Sequence, residues 1–253
     1  QRIALVNAVA DYLTLAGRAI FWVFVGPLRR KPVRSAAVFL QLTLLGIRSI
    51  PMIALLSFFM GLVLAMQGAY QLSKMGADIY VAHLTTVAFF REIGPLFAAI
   101  VLASRCGSSI TAELGTMKAA EEIEALEVMA IDPVRYLVSP RLLAVVLIMP
   151  SLAIIANFTG AFGGWVIGTA SLGIDSAHYV NLAIDSLVEK DVLTGLFKAC
   201  VFAVLVSTIA CYHGMSVTGG AEGVGRATTA SVVNSLIAII TADVVLTALF
   251  YFL

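Results

Sequence analysis

Two residues of opposite charge, Arg91 and Glu92, lie side by side in the middle of an apolar segment, about residues 82–104. A charge at the centre of a membrane-spanning helix costs about 2.5–3.5 kcal/mol on insertion scales, so such residues usually face a cavity or a protein partner. Adjacent residues on a helix point about 100° apart. The two side chains therefore cannot pair along one face, and each needs its own partner or water.

A third charge, Lys198, lies within the first two turns of another apolar segment, residues 192–212. Its ammonium group can reach the nearby membrane interface along its own flexible stem, which is the less costly arrangement. It can also face the same cavity as Glu92. The three charged residues are therefore candidates to face a cavity or a protein partner at membrane depth.

Neither the cysteines nor the histidines show metal-ligand or catalytic spacing. They are Cys106, Cys200, Cys211, His83, His178 and His213. Residues 220–227, GAEGVGRA, have the glycine spacing of a phosphate-binding loop, but Arg226 and Ala227 stand where Lys and Ser or Thr are required. We therefore expect no enzyme activity, no metal, no bound cofactor and no ATPase motor on this chain.

The composition predicts that lipid solvates most of the chain. Of its 253 residues, 60% are hydrophobic and only 12% are charged, whereas soluble proteins average about 45–50% apolar and about 25% charged residues. The formal net charge of +1 gives no global field for nucleic acid. The chain begins at Gln1, not at Met, which leaves open whether a short leader or tag precedes it.

Five segments are long and apolar enough to cross a membrane, which requires about 20 residues of helix. The expected fold is therefore an all-α polytopic membrane protein with a single membrane domain over residues 1–253. Residues 1–34 combine an amphipathic stretch with a basic end (Arg29, Arg30, Lys31 and Arg34) and are predicted to form an interfacial helix and a basic segment. The predicted spans are residues 36–70, 82–104, 142–170, 192–212 and 230–253.

Glycines recur every four residues in the third predicted span, at Gly160, Gly164 and Gly168. Small residues at this spacing let a second backbone or side chain approach closely. The pattern is common in membrane helices, so it predicts close packing and does not specifically indicate a dimer.

Basic residues predict the orientation of the chain. They cluster before the first span and between the second and third spans, whereas the opposite connections hold only Lys74 and Lys190. Lys and Arg accumulate on the cytoplasmic side of membrane proteins. The N-terminus is therefore expected in the cytoplasm and, after five spans, the C-terminus on the outer side.

Residues 106–141 form a polar, acidic segment between the second and third spans. Apolar residues recur in it at roughly helical spacing, which predicts a cytoplasmic helix near 111–131 with one apolar face for a partner. Asp132-Pro133 ends it. An ordinary solvated helix is the alternative. The candidate contact residues are Glu113, Leu114, Met117, Glu121, Glu122, Leu126 and Met129.

The run FFREIGPLFAAIVLASRCGSSITAELGTMKAAEEIEALEVMAIDPVRYLVSPR, residues 89–141, resembles the signature region of the MlaE/YrbE permease family. Members of this family are the membrane subunits of ABC transporters that work with MCE-domain proteins. The resemblance continues through residues 160–168 and through GVGRATTASVVNS at residues 223–235. The N-terminal 35 residues are similar only in character.

The resemblance implies a homodimer in the bacterial inner membrane, with five spans and an N-terminal interfacial helix in each subunit. A coupling helix within residues 111–130 would dock a cytoplasmic ABC ATPase, which uses ATP and Mg. An MCE-domain protein would sit on the periplasmic side, and a STAS-domain protein would be a further cytoplasmic partner. The cargo would be phospholipid or another hydrophobic lipid, moved between the inner and outer membranes and so affecting outer-membrane lipid asymmetry.

By motif, the charged residues of the family's lipid cavity correspond to Arg91, Glu92 and Lys198. We hypothesise that acyl tails lie against Phe58, Met60 and Met66 while the polar head approaches Arg91 or Lys198. ATP binding to the partner would push on the 111–131 helix and narrow an outward-open cavity. The sequence does not fix the transport direction, the exact lipid or which partners bind together.

Two other functions compete with this one. An ion-gradient-driven secondary transporter would use Glu92, Lys198 and Asp243 as a proton or ion path and would work without an ATPase. A membrane scaffold would bind a partner through its cytoplasmic helix but hold no lipid. An intramembrane enzyme lacks an assembled catalytic constellation.

Overall fold

A computed structural model describes the backbone of residues 2–28 and 35–252 and the side chains of residues 10–23 and 35–250. The basic cluster Arg29, Arg30, Lys31 and Arg34 lies outside the described residues. Within the described ranges every regular element is a helix, which confirms the all-α prediction. The α-helices are α1 (Arg2–Leu28), α2 (Ser35–Gln41), α3 (Ile50–Ser73), α4 (Tyr80–Ala88), α5 (Gly94–Leu102), α6 (Ser108–Ala119), α7 (Glu122–Val128), α8 (Ser139–Ala170), α9 (Ser176–Asp185), α10 (Glu189–Met215) and α11 (Gly220–Phe252).

Short π-helical turns join several of these helices into longer runs. They cover Leu42–Gly46, Phe89–Ile93, Ala103–Gly107 and Val134–Val138. Five runs in the described residues are long and apolar enough to cross a membrane, as the sequence predicts. These runs are Ser35–Ser73, Tyr80–Ala119, Val134–Ala170, Glu189–Met215 and Gly220–Phe250.

The chain packs as two compact units, and the long helices α8, α10 and α11 each contribute to both. The first unit contains the N-terminal helix and α6 and α7. The second contains α3, α4 and α9 together with the charged residues of the candidate site. The first comprises Gln1–Arg48, Leu102–Ile148 and Val201–Val244, and the second comprises Ser49–Val101, Met149–Cys200 and Val245–Leu253.

In the second unit, α3 and α8 approach so closely that only glycine fits between them. A Cβ atom at Gly61 would lie 2.0 Å from the backbone oxygen of Gly160, and one at Gly163 would lie 2.3 Å from the backbone oxygen of Phe58. Real side chains do not tolerate such distances, so these two glycines determine where the helices cross.

The glycine repeat of α8 receives aromatic rings of the same chain. A Cβ atom at Gly160 would lie 2.0 Å from the ring of Phe89, and one at Gly168 would lie 2.4 Å from the ring of Tyr179. The prediction that this repeat mediates close packing is confirmed. Tyr179 thereby fixes α9 against α8, and its burial raises the pKa of its hydroxyl to about 12.

In the first unit, α1 is attached to the segment that follows α7. The indole Nε1 of Trp22 donates a 2.9 Å hydrogen bond to Asp132, and Arg18 lies 3.5 Å from the same carboxylate. The guanidinium of Arg135 lies over the Trp22 ring, 5.4 Å from its centroid. Asp132 also accepts a hydrogen bond from the backbone N–H of Val134, so one carboxylate ends the α7 region and holds α1.

Helix α6 packs inside the first unit along one face. The hydroxyl of Thr111 lies 3.0 Å from the backbone oxygen of Ala210 and 2.9 Å from the hydroxyl of Ser231. Leu114 is fully buried, and a Cβ atom at Gly214 would lie 2.6 Å from the Cβ of Leu114. These contacts fix α6 against α10 and α11.

Gly61→Ala should destabilise the fold by about 1–3 kcal/mol, the usual cost of overpacking a tight contact. The added methyl group must displace the backbone of Gly160, which is less able to move than a side chain. Thermal unfolding in detergent measures the effect.

The matched control is Gly17→Ala in α1, where a Cβ atom meets nothing within 4 Å. This change should leave stability equal or raise it by about 0.4–1 kcal/mol. Equal unfolding temperatures for the two variants would show that α3 and α8 do not depend on the glycine contact.

Candidate functional site

The charged pair lies on the π-helical turn Phe89–Ile93, between α4 and α5. A π-helical turn is rare, and it is frequently found at functional sites. Its partners lie on α10, where Asp191 and Lys198 are seven residues, or about two turns, apart and so share one face. Each charged residue of the turn therefore faces an opposite charge on α10.

Arg91 and Glu92 each have a separate partner, as the helical geometry predicts. The Nε atom of Arg91 lies 2.7 Å from a carboxylate oxygen of Asp191. The ammonium group of Lys198 donates to Glu92 and, at 2.7 Å, to the hydroxyl of Thr247. That hydroxyl in turn lies 3.2 Å from the other carboxylate oxygen of Glu92, which closes a three-residue network.

A glycine allows this close approach of the two helical segments. Gly195 lies between Asp191 and Lys198 on the same face of α10, and a Cβ atom there would lie 2.2 Å from the backbone oxygen of Phe90. Any larger residue would push α10 away from the π-helical turn. One face of α10 therefore carries both the charged residues and the close contact, because Gly195 is four residues and Lys198 seven residues after Asp191.

The two members of each pair differ in exposure. The side chains of Lys198 and Asp191 are 0% and 2% exposed, whereas those of Glu92 and Arg91 are 31% and 37% exposed. Asp191 and Lys198 on α10 are thus buried ion-pair partners. The turn residues are the ones that present charge at the surface of the unit, and Arg91 can meet an anionic group there because its guanidinium carries five N–H donors.

The buried position of Lys198 decides between the two arrangements that the sequence allows. Its ammonium does not extend to the membrane interface but faces Glu92. The carboxylate and the Thr247 hydroxyl satisfy donors that would otherwise be buried without partners.

Sequence reasoning missed Asp191 and Thr247 as members of this network. Asp191 is one of several acids in the polar connection before the fourth span, and its role depends on a tertiary contact. Its seven-residue spacing from Lys198 was the available signal. Thr247 carries no charge and is one of several hydroxyl residues in α11, so no signal marked it.

The residues predicted to contact lipid tails lie on α3. Phe58 is half-buried, and its ring lies 5.8 Å from that of Phe162. Met60 is also half-buried, whereas Met66 is 58% exposed. Their contact with lipid stays a prediction.

The acidic segment forms two helices where the sequence predicted one. α6 ends at Ala119 and α7 begins at Glu122, because Glu121 between them takes a left-handed conformation with φ 59°. Such a conformation cannot continue a right-handed helix. Lys118 pairs with Glu124 across the break, and the hydrogen bond from its ammonium lowers the pKa of Glu124.

The predicted contact residues of this segment divide between the interior and the surface. Leu114 is fully buried and cannot contact a partner from this position, because it faces Gly214. Glu113 forms a 2.7 Å ion pair with the buried Arg141. Met117 and Leu126 are half-buried, and Glu121, Glu122 and Met129 are exposed.

Sequence reasoning also missed Val128, which is 88% exposed beside Met129 at the end of α7. Ala130, at φ 58°, turns the chain directly after them. We call Val128 and Met129 the α7 tip.

The described residues form a multi-pass helical membrane protein with paired charges inside its spans, and such charges often mark the path of a substrate or an ion. The family model of Permease MlaE matches residues 38–249. The chain therefore belongs to the MlaE permease family and is a transport subunit.

Curated relatives agree with this assignment. A probable ABC transporter permease protein of Rickettsia conorii is 39% identical over 222 residues, which are 88% of this chain and 86% of that protein. The intermembrane phospholipid transport system permease protein MlaE of Haemophilus influenzae is 36% identical over 251 residues, 98% of this chain and 96% of that one. The chloroplastic protein TRIGALACTOSYLDIACYLGLYCEROL 1 of Arabidopsis thaliana is 35% identical over 211 residues, 83% and 60% of the two chains.

Lys198→Met should destabilise the protein strongly, because it leaves the Glu92 carboxylate without its buried ammonium. Breaking one side of a buried ion pair costs about 3–5 kcal/mol, and the 31% exposure of Glu92 places the expected loss at the low end. Removing both charges, in Glu92→Gln with Lys198→Met, should restore most of the stability.

Thermal unfolding of the two single variants and the double variant measures the coupling between the residues. If the two losses simply add, the residues do not stabilise each other as the structure indicates.

Proposed function

We propose that this chain is the membrane subunit of an ATP-driven transporter that moves phospholipid between the inner and outer membranes of a bacterial cell. The observation that carries the proposal is that Arg91 and Glu92 are partly exposed on an apolar membrane-spanning run, each held by a buried partner on α10. Such a site offers both charge signs to a lipid headgroup and apolar surface to its tails. Family membership and the function stated in the name of the Haemophilus relative support it.

In the proposed mechanism the headgroup phosphate binds near Arg91, because guanidinium groups bind phosphate through paired hydrogen bonds. Glu92 faces the opposite charge of a zwitterionic headgroup. Lys198 is buried and pairs with Glu92, so its ammonium can contact lipid only if this ion pair breaks. The acyl tails lie along the α3 surface that includes Met66.

The energy comes from a separate cytoplasmic ABC ATPase, which binds ATP and Mg; this chain binds neither. The α7 tip is the proposed contact with that ATPase, since two large apolar side chains are exposed beside acidic helix positions. The N-terminus is cytoplasmic and the C-terminus periplasmic in this arrangement. An MCE-domain protein on the periplasmic side receives or delivers lipid, and a STAS-domain protein binds on the cytoplasmic side.

A homodimer completes the transporter. In the fifth run, only 11% of an apolar 18-residue stretch is buried within the chain, whereas 56% of the corresponding stretch is buried in the second and fourth runs. The exposed side chains follow one another at helical spacing along α11, as expected for a helix that packs against another protein. They are Val233, Ile237, Ile240 and Val244.

A charge-neutral double variant tests the headgroup site. Arg91→Met with Asp191→Asn removes both charges of one pair, so no buried charge is left alone and the fold should persist. Lipid transfer should fall by about tenfold or more, because a hydrogen bond to a charged group contributes about 1.5–3 kcal/mol. Transfer of a labelled phospholipid between membranes is the readout.

The control is Lys74→Met with Asp78→Asn, which neutralises two unlike charges at the outer end of α3 and in the following loop. This variant should transfer lipid normally. Full activity of the Arg91 and Asp191 double variant would remove this pair from the mechanism.

The ATPase contact is tested by placing a charge on the α7 tip. Val128→Asp with Met129→Asp should lower the yield of co-purifying ATPase by about thirtyfold, because a central interface residue contributes about 2 kcal/mol or more. Affinity purification from native membranes with mass spectrometry of every bound chain measures this yield.

The matched control is Ala221→Asp, an exposed position at the start of α11. It should retain the partner. A wild-type chain that purifies alone, folded and dimeric, would contradict the ATPase proposal and favour the gradient-driven transporter.

A further inference from the structure

A groove lies between α4, α8 and α9, within the second unit and apart from the charged pairs. Its volume is about 410 Å³. Aromatic and aliphatic side chains form most of its wall. We call it the aromatic groove; its main lining residues are Phe90, Phe158, Phe162, Trp165, Val180 and Ile184.

The aromatic rings of the groove support one another in fixed positions. Phe162 stacks on Trp165 with ring centroids 5.4 Å apart, and Phe90 meets Phe158 edge to face at 5.8 Å. Tyr179 fixes α9 onto α8, so the wall that α9 contributes is also held in place. The groove is therefore a preformed concave site with an apolar lining, as ligand sites usually are.

The groove still exposes much apolar surface. Phe158 is 63% exposed, Phe162 53% and Ile184 62%. These residues lie on α8, which belongs to a membrane-spanning run, and on the adjoining α9. On a membrane-spanning helix such exposure is ordinary, so the concave shape and the fixed aromatic wall are what mark the groove as a binding site.

The size of the groove favours a hydrocarbon chain over a protein helix. A helix with its side chains is about 10–12 Å across, so a volume near 410 Å³ holds only about one helical turn. A membrane-spanning helix needs about 20 residues, or about 30 Å. One acyl chain, in contrast, is thinner than a helix and flexible, so it can fill a site of this volume.

The polar end of the groove indicates where the headgroup lies. The indole Nε1 of Trp165 donates to the hydroxyl of Ser176 at 3.2 Å, and tryptophan is enriched at the membrane–water interface. Beside it, the carboxylate of Asp175 accepts a hydrogen bond from the backbone N–H of His178. Asp175 is the acidic residue beside this end, so the end attracts an amine more than an anion.

We propose that the aromatic groove binds one acyl chain of a diacyl phospholipid whose headgroup carries an amine, with that headgroup beside Trp165 and Ser176. This second lipid site is separate from Arg91, because adjacent residues on a helix point in different directions and, of the π-helical turn Phe89–Ile93, only Phe90 lines the groove. It goes beyond the proposed transport cavity and does not depend on it.

The test uses purified full-length protein in lipid nanodiscs that contain phosphatidylethanolamine with a photoactivatable diazirine in one acyl chain. Illumination and peptide mass spectrometry locate the cross-links. We expect them to concentrate in residues 158–165 and 180–187. The same diazirine chain on phosphatidylglycerol should give fewer cross-links there.

Two variants of α9 make the result specific. Ala183 lines the groove, so Ala183→Trp fills it and should lower the cross-link yield about tenfold, the effect of excluding about two methylene groups. Ala177 is exposed on α9 and is not a lining residue, so Ala177→Trp should leave the yield unchanged. Equal unfolding temperatures confirm that both variants fold.

Three outcomes would overturn the proposal. Cross-links spread evenly over the spans, or unchanged in Ala183→Trp, would show that the groove holds no specific chain. Equal yields with the two headgroups would overturn the amine preference. Loss of the cross-links when the protein is purified with its native partners, replaced by cross-links to a partner's span, would show that a protein helix occupies the groove.

Discussion

A charged group in hydrocarbon needs an opposite charge or a set of polar partners within reach, and the buried ammonium of Lys198 imposes this constraint on the second unit. Glu92 must lie beside it, so α10 and the π-helical turn must stay in contact. Gly195 makes the contact possible because no side chain separates α10 from the backbone of Phe90. The neighbouring pair of Arg91 and Asp191 follows from the same face of α10. The proposed transport chemistry depends on this one helix contact.

The same short turn faces two different environments. Arg91 belongs to the charged network, whereas Phe90 lines the aromatic groove and packs against Phe158. A π-helical turn inserts one extra residue into a helix and so changes which side chains share a face. Close glycine contacts along α8 then hold the surrounding elements tightly enough for both surfaces to persist. Rigid packing around the turn is what a preformed binding surface requires.

Much of this arrangement could be predicted from the sequence, because apolar segments, and charges that interrupt them, can be recognised from neighbouring residues alone. The five membrane runs follow from hydropathy, and Arg91 and Glu92 stand out against their apolar neighbours. The glycine repeat of α8 indicates close packing, although its aromatic partners could not be named. Asp191 carries only a weak sequence signal, its seven-residue spacing from Lys198, because a carboxylate at the end of a span resembles any solvated acid. The break at Glu121 was equally hidden, because glutamate rarely takes a left-handed conformation.

ATP-dependent lipid movement in a defined membrane tests the central claim most directly. The chain would be reconstituted in proteoliposomes with the ATPase that co-purifies with it, and transfer of a labelled phospholipid would be followed with and without ATP and with an uncoupler that collapses ion gradients. Our account predicts transfer that requires ATP and an intact nucleotide site in the partner and that continues in the uncoupler. Transfer without the ATPase, lost when the gradient collapses, would contradict the account and show that the buried Glu92 and Lys198 network serves an ion-driven transporter.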